Sequence, residues 1–85
     1  MDWRLHAGYI ITNQITIGKT EFVLGVHLTV PNQYATWECA DRQTYTDEHL
    51  FNDLLLAEKD FCKRGYEKAL FYERYRKPKE KEPER

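Results

Sequence analysis

Hydrophobic and polar residues alternate along three stretches in the first half of the chain, residues 8–17, 20–30 and 33–40. Alternation of this kind places one set of side chains on each face of a β-strand, so each stretch is predicted to be a half-buried strand. The alternation is cleanest in residues 20–30, which we expect to form the central strand. The predicted core-facing residues are Tyr9, Ile11, Ile15 and Ile17, then Phe22, Leu24, Val26, Leu28 and Val30, then Ala35, Trp37 and Cys39.

Short turn signals separate these predicted strands. Gly18 and Lys19 fit a two-residue hairpin, because glycine suits the first central position of a type II′ turn. Pro31 and Asn32 form a turn dipeptide between the second and third strands. Asn13 interrupts the hydrophobic side of the first strand, which favours either a β-bulge or the rim of the sheet at that position.

The second half of the chain contains one long helical pattern, from Asn52 to Lys77. Its hydrophobic residues recur every three or four positions, which aligns them on one side of an α-helix. Asn52 or Asp53 can cap the first turn. Gly65 lies in the middle, which indicates either close approach to the sheet or a break into two helices. The predicted apolar stripe is Leu54, Ala57, Phe61, Gly65, Ala69 and Tyr72, widened by Leu55, Cys62, Tyr66 and Phe71.

Neither the helix nor the strands can bury an apolar side alone in water. We therefore predict one α+β domain over residues 1–77, in the order β-β-β-α, with a three-stranded antiparallel meander packed on the C-terminal helix. Residues 45–51 fit a short fourth strand, a loop or an early helical turn, and we favour a loop that pairs briefly with the third strand. Residues 1–7 are a short lead, in which Trp3 and Leu5 are expected to pack against the domain.

Composition narrows the classes of function. A chain of 85 residues suits one domain, and residues 78–85 are predicted to be a disordered tail, because they hold proline and charges of both signs. Thirteen basic against fourteen acidic residues give a formal charge of −1, which provides no overall attraction to nucleic acid or anionic membranes. The sequence shows no signal-peptide pattern at its start and no apolar run of the about 20 residues that span a membrane. We expect a cytoplasmic protein in which Cys39 and Cys62 are reduced, buried thiols.

Three segments carry a resemblance to a protein family: FVLG at 22–25, ATWEC at 35–39 and DLLLAEKDF at 53–61. Over residues 8–64 the chain resembles small uncharacterised accessory proteins encoded on conjugative elements of gut Firmicutes. The resemblance implies a bacterial, cytoplasmic protein with an accessory role on a mobile element, and it implies no activity. The chain departs from the family at residues 45–49, YTDEH, where a Trp- or Gly-containing stretch is expected before the helix.

The reactive side chains form no recognisable catalytic or metal-binding motif. His6, His27 and His49 lie on different segments from each other and from the cysteines, without the spacing of a zinc site. A nucleophilic pair of Cys39 with His49 would have to be assembled by the fold, and Cys39 is predicted to face the core, where a thiol is unreactive. We predict no catalytic residue, no metal and no cofactor. The acidic residues near one loop, interpreted as helix caps and solvated side chains, are Asp41, Asp47, Glu48 and Asp53.

The predicted function is non-enzymatic binding of a protein partner, or self-association. The candidate surfaces are the open face of the sheet, a free strand edge and the aromatic end of the helix. The alternative for the helix end is that its aromatic residues are buried together with Trp3. The alternative function is a weak nucleic-acid-binding regulator that uses the open sheet face, which is disfavoured because the strands of that face supply no Lys or Arg for phosphates. Neither a membrane nor a small-molecule substrate is expected as a partner. The candidate protein-binding residues are Thr12, Gln14, His27, Tyr34, Thr36, Tyr72 and Tyr75.

Overall fold

The computed structural model describes residues 3–75, in which five antiparallel strands curl into a half-barrel packed against one C-terminal helix. Neighbouring strands in the sheet follow chain order, β1-β2-β3-β4-β5. The predicted α+β class and the central position of the second long strand are confirmed, but the predicted strand count is too low. The elements are β1 (Leu5–His6), β2 (Tyr9–Ile17), β3 (Thr20–His27), β4 (Tyr34–Cys39), β5 (Tyr45–Phe51) and α1 (Leu54–Arg74).

The sheet extends beyond the predicted three-stranded meander at both edges. β1 has only two residues, too few to show an alternation. The loop favoured at 45–51 is wrong, and the alternative of a fourth strand there is confirmed: it is β5, which pairs with β4 along its length. Its polar sequence conceals the strand, and a bulge at Asp47, whose φ is 53°, interrupts its periodicity. The predicted tail at 78–85 and the last predicted helical residues, 76–77, lie outside the described part of the chain.

A β-bulge in β2 divides its hydrophobic residues between the two faces of the sheet. The register with β3 shifts between Ile11 and Asn13, which confirms one of the two interpretations of Asn13. Before the bulge, Ile11 lies opposite Gly25; after it, Ile15 lies opposite Phe22. The prediction that all the hydrophobic residues of β2 share one face is therefore wrong, because the extra residue reverses the alternation.

The main hydrophobic cluster lies on the concave face, opposite the helix. Val23 pairs with Trp37, and Cys39 pairs with Tyr45, so these side chains share one face. Trp37 is fully buried there and contacts the rings of Tyr9 and Tyr45 edge to face. The prediction that Ala35, Trp37 and Cys39 face a core is confirmed, but this core is enclosed by the curl of the sheet and not by α1. The cluster comprises Tyr9, Ile11, Val23, Ala35, Trp37, Cys39 and Tyr45.

β1 closes the half-barrel across its concave side. The ring of His6 stacks on that of Tyr45 from the opposite edge strand, with centroids 3.8 Å apart. Arg4 donates its Nε–H to the Tyr45 hydroxyl over 2.8 Å. The prediction that Trp3 and Leu5 pack against the domain is wrong, because both are exposed. Their neighbours Arg4 and His6 make the contacts instead.

Arg4 also neutralises a buried carboxylate. Its two terminal nitrogens donate to the two oxygens of Glu21 over 2.8 and 2.9 Å, a bidentate pair that is stronger than a single contact. The hydrogen bond to Glu21, followed by that to Tyr45, raises the pKa of Arg4 above its ordinary value despite burial. Arg42 contacts the same carboxylate over 3.2 Å, but from an exposed position.

The helix packs on the other face through a narrow stripe. Asp53 caps α1 by accepting from the N–H of Leu56 over 3.1 Å, and the helix runs without a break through Gly65. The predicted stripe is confirmed in its middle, where Ala57 and Gly65 are buried and Phe61 is half-buried. The residues predicted to widen it, Leu55, Cys62, Tyr66 and Phe71, are exposed instead.

Replacing Arg4 by Ala should destabilise the protein by about 3–5 kcal/mol, because it leaves the Glu21 carboxylate buried without its main partner. Urea unfolding followed by tryptophan fluorescence measures the loss. Arg42→Ala is the matched control: Arg42 is 63% exposed, against 16% for Arg4, so its removal should cost under about 1 kcal/mol. Equal losses for the two variants would contradict this account of the closure.

Replacing Gly65 by Ala should stabilise the protein by about 0.5–1 kcal/mol, because alanine restricts the unfolded chain and favours the helix. A Cβ at this position would lie 3.7 Å from the nearest atom, Cγ2 of Ile15, which is ordinary van der Waals contact. Thermal unfolding by circular dichroism measures the gain. A lower melting temperature would mean that α1 lies closer to β2 than the structure shows.

Candidate protein-binding surface

The predicted open sheet face does not exist as one surface. Thr36 lies opposite Leu24, and Tyr34 lies opposite Val26, on the side that α1 covers. Gln14 lies opposite Val23 and points to the concave side. The expectation that these residues share a face is wrong, because the bulge in β2 and the burial of β3 on both sides alter the simple alternation.

Thr36 is buried beneath the helix and holds a carboxylate. Its hydroxyl donates to Oδ2 of Asp60 over 2.6 Å, and Nδ1 of His49 lies 3.0 Å from the same oxygen. Arg64 contributes its Nε at 3.4 Å. Burial raises the pKa of Asp60, but the hydrogen bonds from Thr36 and His49 outweigh it, so that the pKa is lowered overall. This network joins α1 to β4 and β5, so the role of Thr36 is structural.

Gln14 and His27 are engaged within the fold. Oε1 of Gln14 accepts from Arg4 over 3.0 Å. Nδ1 of His27 accepts from the backbone N–H groups of Thr29 and Val30 over 3.2 and 3.0 Å, which shapes the turn after β3. Neither of these side-chain atoms can bind a partner unless its hydrogen bonds within the fold are broken.

The aromatic end of the helix divides in two. Tyr72 packs on the β2–β3 hairpin, where its hydroxyl accepts from the N–H of Lys19 over 3.3 Å and its ring leaves no room for a side chain at Gly18. Tyr75 is 73% exposed and contacts Phe71 edge to face, with centroids 4.8 Å apart. Tyr66 is exposed as well. The alternative in which this end is buried together with Trp3 is therefore wrong.

β2 has an unpaired edge beyond Ile11. β1 pairs with β2 only at Tyr9 and Ile10, and its last backbone bond joins Ile11 to Arg4. Within residues 3–75, no strand pairs with the outer edge from Thr12 onward. The predicted free strand edge therefore lies in β2, at 12–17.

The hairpin determines which groups point outward from that edge. Ile17 and Thr20 close a two-residue hairpin, so the backbone groups of Ile17 and, by alternation, of Ile15 are directed at β3. The N–H and C=O groups of Gln14 and Thr16 are then directed away from the sheet. The edge offers two donors and two acceptors at a spacing that an added strand can match.

An apolar groove of about 260 Å³ runs beside this edge, between β2 and α1. Its floor is formed by Ile15 and Ile17, and its far wall by one flank of the helix. Ile15 is 41% exposed although it lies opposite the buried Phe22. Cys62, predicted to be buried, is exposed here. The lining residues are Ile15, Ile17, Phe61, Cys62, Gly65, Tyr66 and Ala69.

The edge of the sheet formed by β5 has features that oppose strand pairing. In β5, Asp47 has a positive φ and forms a bulge, and its carbonyl accepts from Arg64 of the helix. Asp47, Glu48 and His49 place polar or charged side chains along this strand. Bulges and charges are the features that protect a sheet edge against pairing. The edge of β2 at 12–17 has no charged residue, so the two edges are not equivalent.

The reactive residues are distributed among separate structural roles. Cys39 lies on the concave face near Arg4, and burial raises the pKa of its thiol. His49 lies on the helix-covered face, so these two side chains do not form a pair. The acidic residues near β5 are likewise occupied: Asp41 accepts from Gln43 and Thr44, Glu48 from Trp37, and Asp53 caps α1.

No cluster of three or more His, Cys, Asp or Glu side chains suited to a metal ion occurs in residues 3–75. In the same range, α1 is not apolar enough to cross a membrane. No protein-family model, curated protein or solved structure matches the chain.

Replacing Asp60 by Asn should reduce stability at pH 7 by about 1–3 kcal/mol, because charge-assisted hydrogen bonds from three elements converge on the carboxylate. The lowered pKa means that the unfolded chain binds the proton first as pH falls, so this contribution is present above about pH 4 and is lost as pH drops through the folded-state pKa.

Urea unfolding of both proteins at pH 7 and pH 3 provides the measurement. The difference in unfolding free energy between wild type and Asp60→Asn should shrink at pH 3. Asp47→Asn is the control, since Asp47 is exposed at the neighbouring bulge. A difference that does not change with pH would contradict the assigned network.

Proposed function

We propose that this protein is a non-enzymatic protein-interaction module that binds an extended segment as an additional strand on the free edge of β2. The observation that carries the proposal is an uncharged edge at 12–17, unpaired among residues 3–75, with an apolar groove directly beside it. Strand addition uses backbone hydrogen bonds for affinity and pockets for alternate side chains for specificity. Both requirements are met on this side of the molecule.

The chemistry of the groove defines the partner segment. Alternate residues of an added strand point to the same face, about 6.6–6.8 Å apart. Those on the α1 side would lie beside Ile15 and Ile17 and in contact with the flank of the helix at Tyr66. The segment should therefore carry hydrophobic residues at two or three alternate positions, with uncharged residues between them, because the edge offers no charge to pair with.

The alternative of a nucleic-acid-binding regulator has less support from the described residues. It required an open sheet face, but α1 covers one face and the aromatic cluster around Trp37 fills the other. The biological setting that we favour is an accessory role in the bacterial cytoplasm, on a mobile element. That setting rests on the family resemblance of residues 8–64 alone.

A displayed library of random peptides tests the proposal. Selection on the wild-type protein should enrich segments with alternating hydrophobic residues, and fluorescence polarisation should give their dissociation constants. Thr16→Pro should weaken the selected peptides at least tenfold, because it removes one outward N–H group. The fold should persist, since proline is tolerated on an edge strand whose N–H points to solvent.

Thr16→Val is the matched control, because it keeps both the N–H group and the β-branched shape and should bind as wild type does. Circular dichroism and thermal unfolding of all three proteins show whether the fold is retained. Equal binding to wild type and to a folded Thr16→Pro variant would rule out strand addition at this edge. Selection of highly charged segments without alternation would rule out the groove.

A further inference from the structure

We infer that the strand received by the edge of β2 is β2 of a second copy of this chain, in a two-fold dimer centred on Ile15. The inference rests on the proposed function, that this edge pairs with an added strand, and it names the partner. An antiparallel pair of identical strands is self-complementary about a two-fold axis, so each copy presents the same patch. The curled sheets of two copies would then join at their β2 edges.

The pattern of outward backbone groups sets the register. Gln14 and Thr16 carry the free N–H and C=O groups, and Ile15 between them is directed at β3. With Ile15 opposite Ile15 of the second copy, Gln14 of each copy lies opposite Thr16 of the other. This arrangement forms two hydrogen-bonded pairs and therefore four backbone hydrogen bonds. Shifting the register by one residue would set the outward groups of Gln14 and Thr16 opposite residues whose groups are directed at β3, and these hydrogen bonds would be lost.

β2 has the side-chain chemistry that the groove requires. Its residues on the α1 side are Asn13, Ile15 and Ile17, which are uncharged and mostly hydrophobic. In the proposed register, the two Ile15 side chains meet at a non-hydrogen-bonded site, where opposing side chains come closest. The floors of the two grooves become continuous, and the exposed part of each Ile15 is covered.

The positions of charged residues on the exposed flank of α1 fit the same two-fold axis. Gly65 of α1 lies directly over Ile15: a Cβ added at residue 65 would be 3.7 Å from Cγ2 of Ile15. A two-fold axis through Ile15 therefore passes near the level of Tyr66. Lys59 and Glu73 lie seven residues before and after Tyr66, on the same side of the helix because seven residues are close to two turns.

The two helices of the dimer run antiparallel on the same side of the joined sheet. Lys59 of each copy is then on the level of Glu73 of the other copy, so opposite charges oppose one another on both sides of the axis. The uncharged Tyr66, which is 65% exposed, lies at the centre of this arrangement. Charge pattern and strand register thus select the same centre from independent parts of the chain.

Sedimentation equilibrium of the full chain over a range of concentrations tests the stoichiometry. We expect a reversible monomer–dimer equilibrium for wild type and for Thr16→Val, and monomer for Thr16→Pro. Reversing the charge of Lys59 alone, by Lys59→Glu, should weaken dimerisation several-fold. Combining it with Glu73→Lys should restore dimerisation, which a merely structural effect on the helix would not do.

Cysteine cross-linking tests the register. In a Cys62→Ser background, where the remaining Cys39 is buried, Ile15→Cys should form an intermolecular disulfide under mild oxidation. Cα atoms at a non-hydrogen-bonded pair are about 4.5 Å apart, within the range for a disulfide. Ile17→Cys alone should not cross-link, because Ile17 lies opposite Asn13 of the second copy, about four residues away from the Ile17 of that copy. Ile17→Cys combined with Asn13→Cys should cross-link as efficiently as Ile15→Cys.

The possible results separate this inference from the proposed function. A monomer at all concentrations, without cross-linking of Ile15→Cys, would overturn the dimer; selected peptides that still bind wild type and not Thr16→Pro would leave strand addition standing. A dimer that persists in folded Thr16→Pro, or that cross-links equally through Ile17→Cys alone, would overturn the assigned interface. Failure of both the peptides and the dimer would overturn both proposals.

Discussion

Closure of the half-barrel by β1 is the constraint on which the rest of the structure depends. A sheet of five strands has two edges, and here the stacking of His6 on Tyr45 joins them across the concave side. Arg4, the residue before β1, pairs with Glu21 of the central strand β3. A carboxylate buried at this position would be costly without a partner, so Arg4 and β1 together stabilise the aromatic core around Trp37.

The same closure explains why a binding edge is left. The backbone of β1 pairs with only two residues of β2 before its side chains turn across the concave face, and the remainder of β2 is unpaired within the described residues. The bulge after Ile11 then directs Ile15 toward the helix side. One short strand and one extra residue therefore place hydrophobic side chains beside free backbone groups, which is the combination that strand addition requires.

The sequence predicted the parts of this fold that have a local signal. Alternation located β2, β3 and β4, and the three-to-four spacing located α1. The assignment of faces failed because β3 is buried on both sides: Val23 and Leu24 are adjacent, and both are fully buried. Alternation separates two faces, but it does not show which one the helix covers. Arg4 carried no signal either, since its role depends on a carboxylate seventeen residues away. A free edge was among the surfaces predicted, but its position depends on strand order, which no local pattern encodes.

The contrast between the edge of β5 and the edge of β2 at 12–17 bears on the function of the β2 edge. β5 has a bulge, charged side chains and a helix arginine on its backbone, all of which oppose pairing. An uncharged edge beside exposed isoleucine would promote indiscriminate aggregation if it had no defined partner. In β2 the bulge limits the pairable stretch to a few residues, and α1 restricts one face of whatever pairs there. The edge is thus open to one short strand and is poorly suited to continued stacking, which is the physical difference between a binding site and an aggregation site.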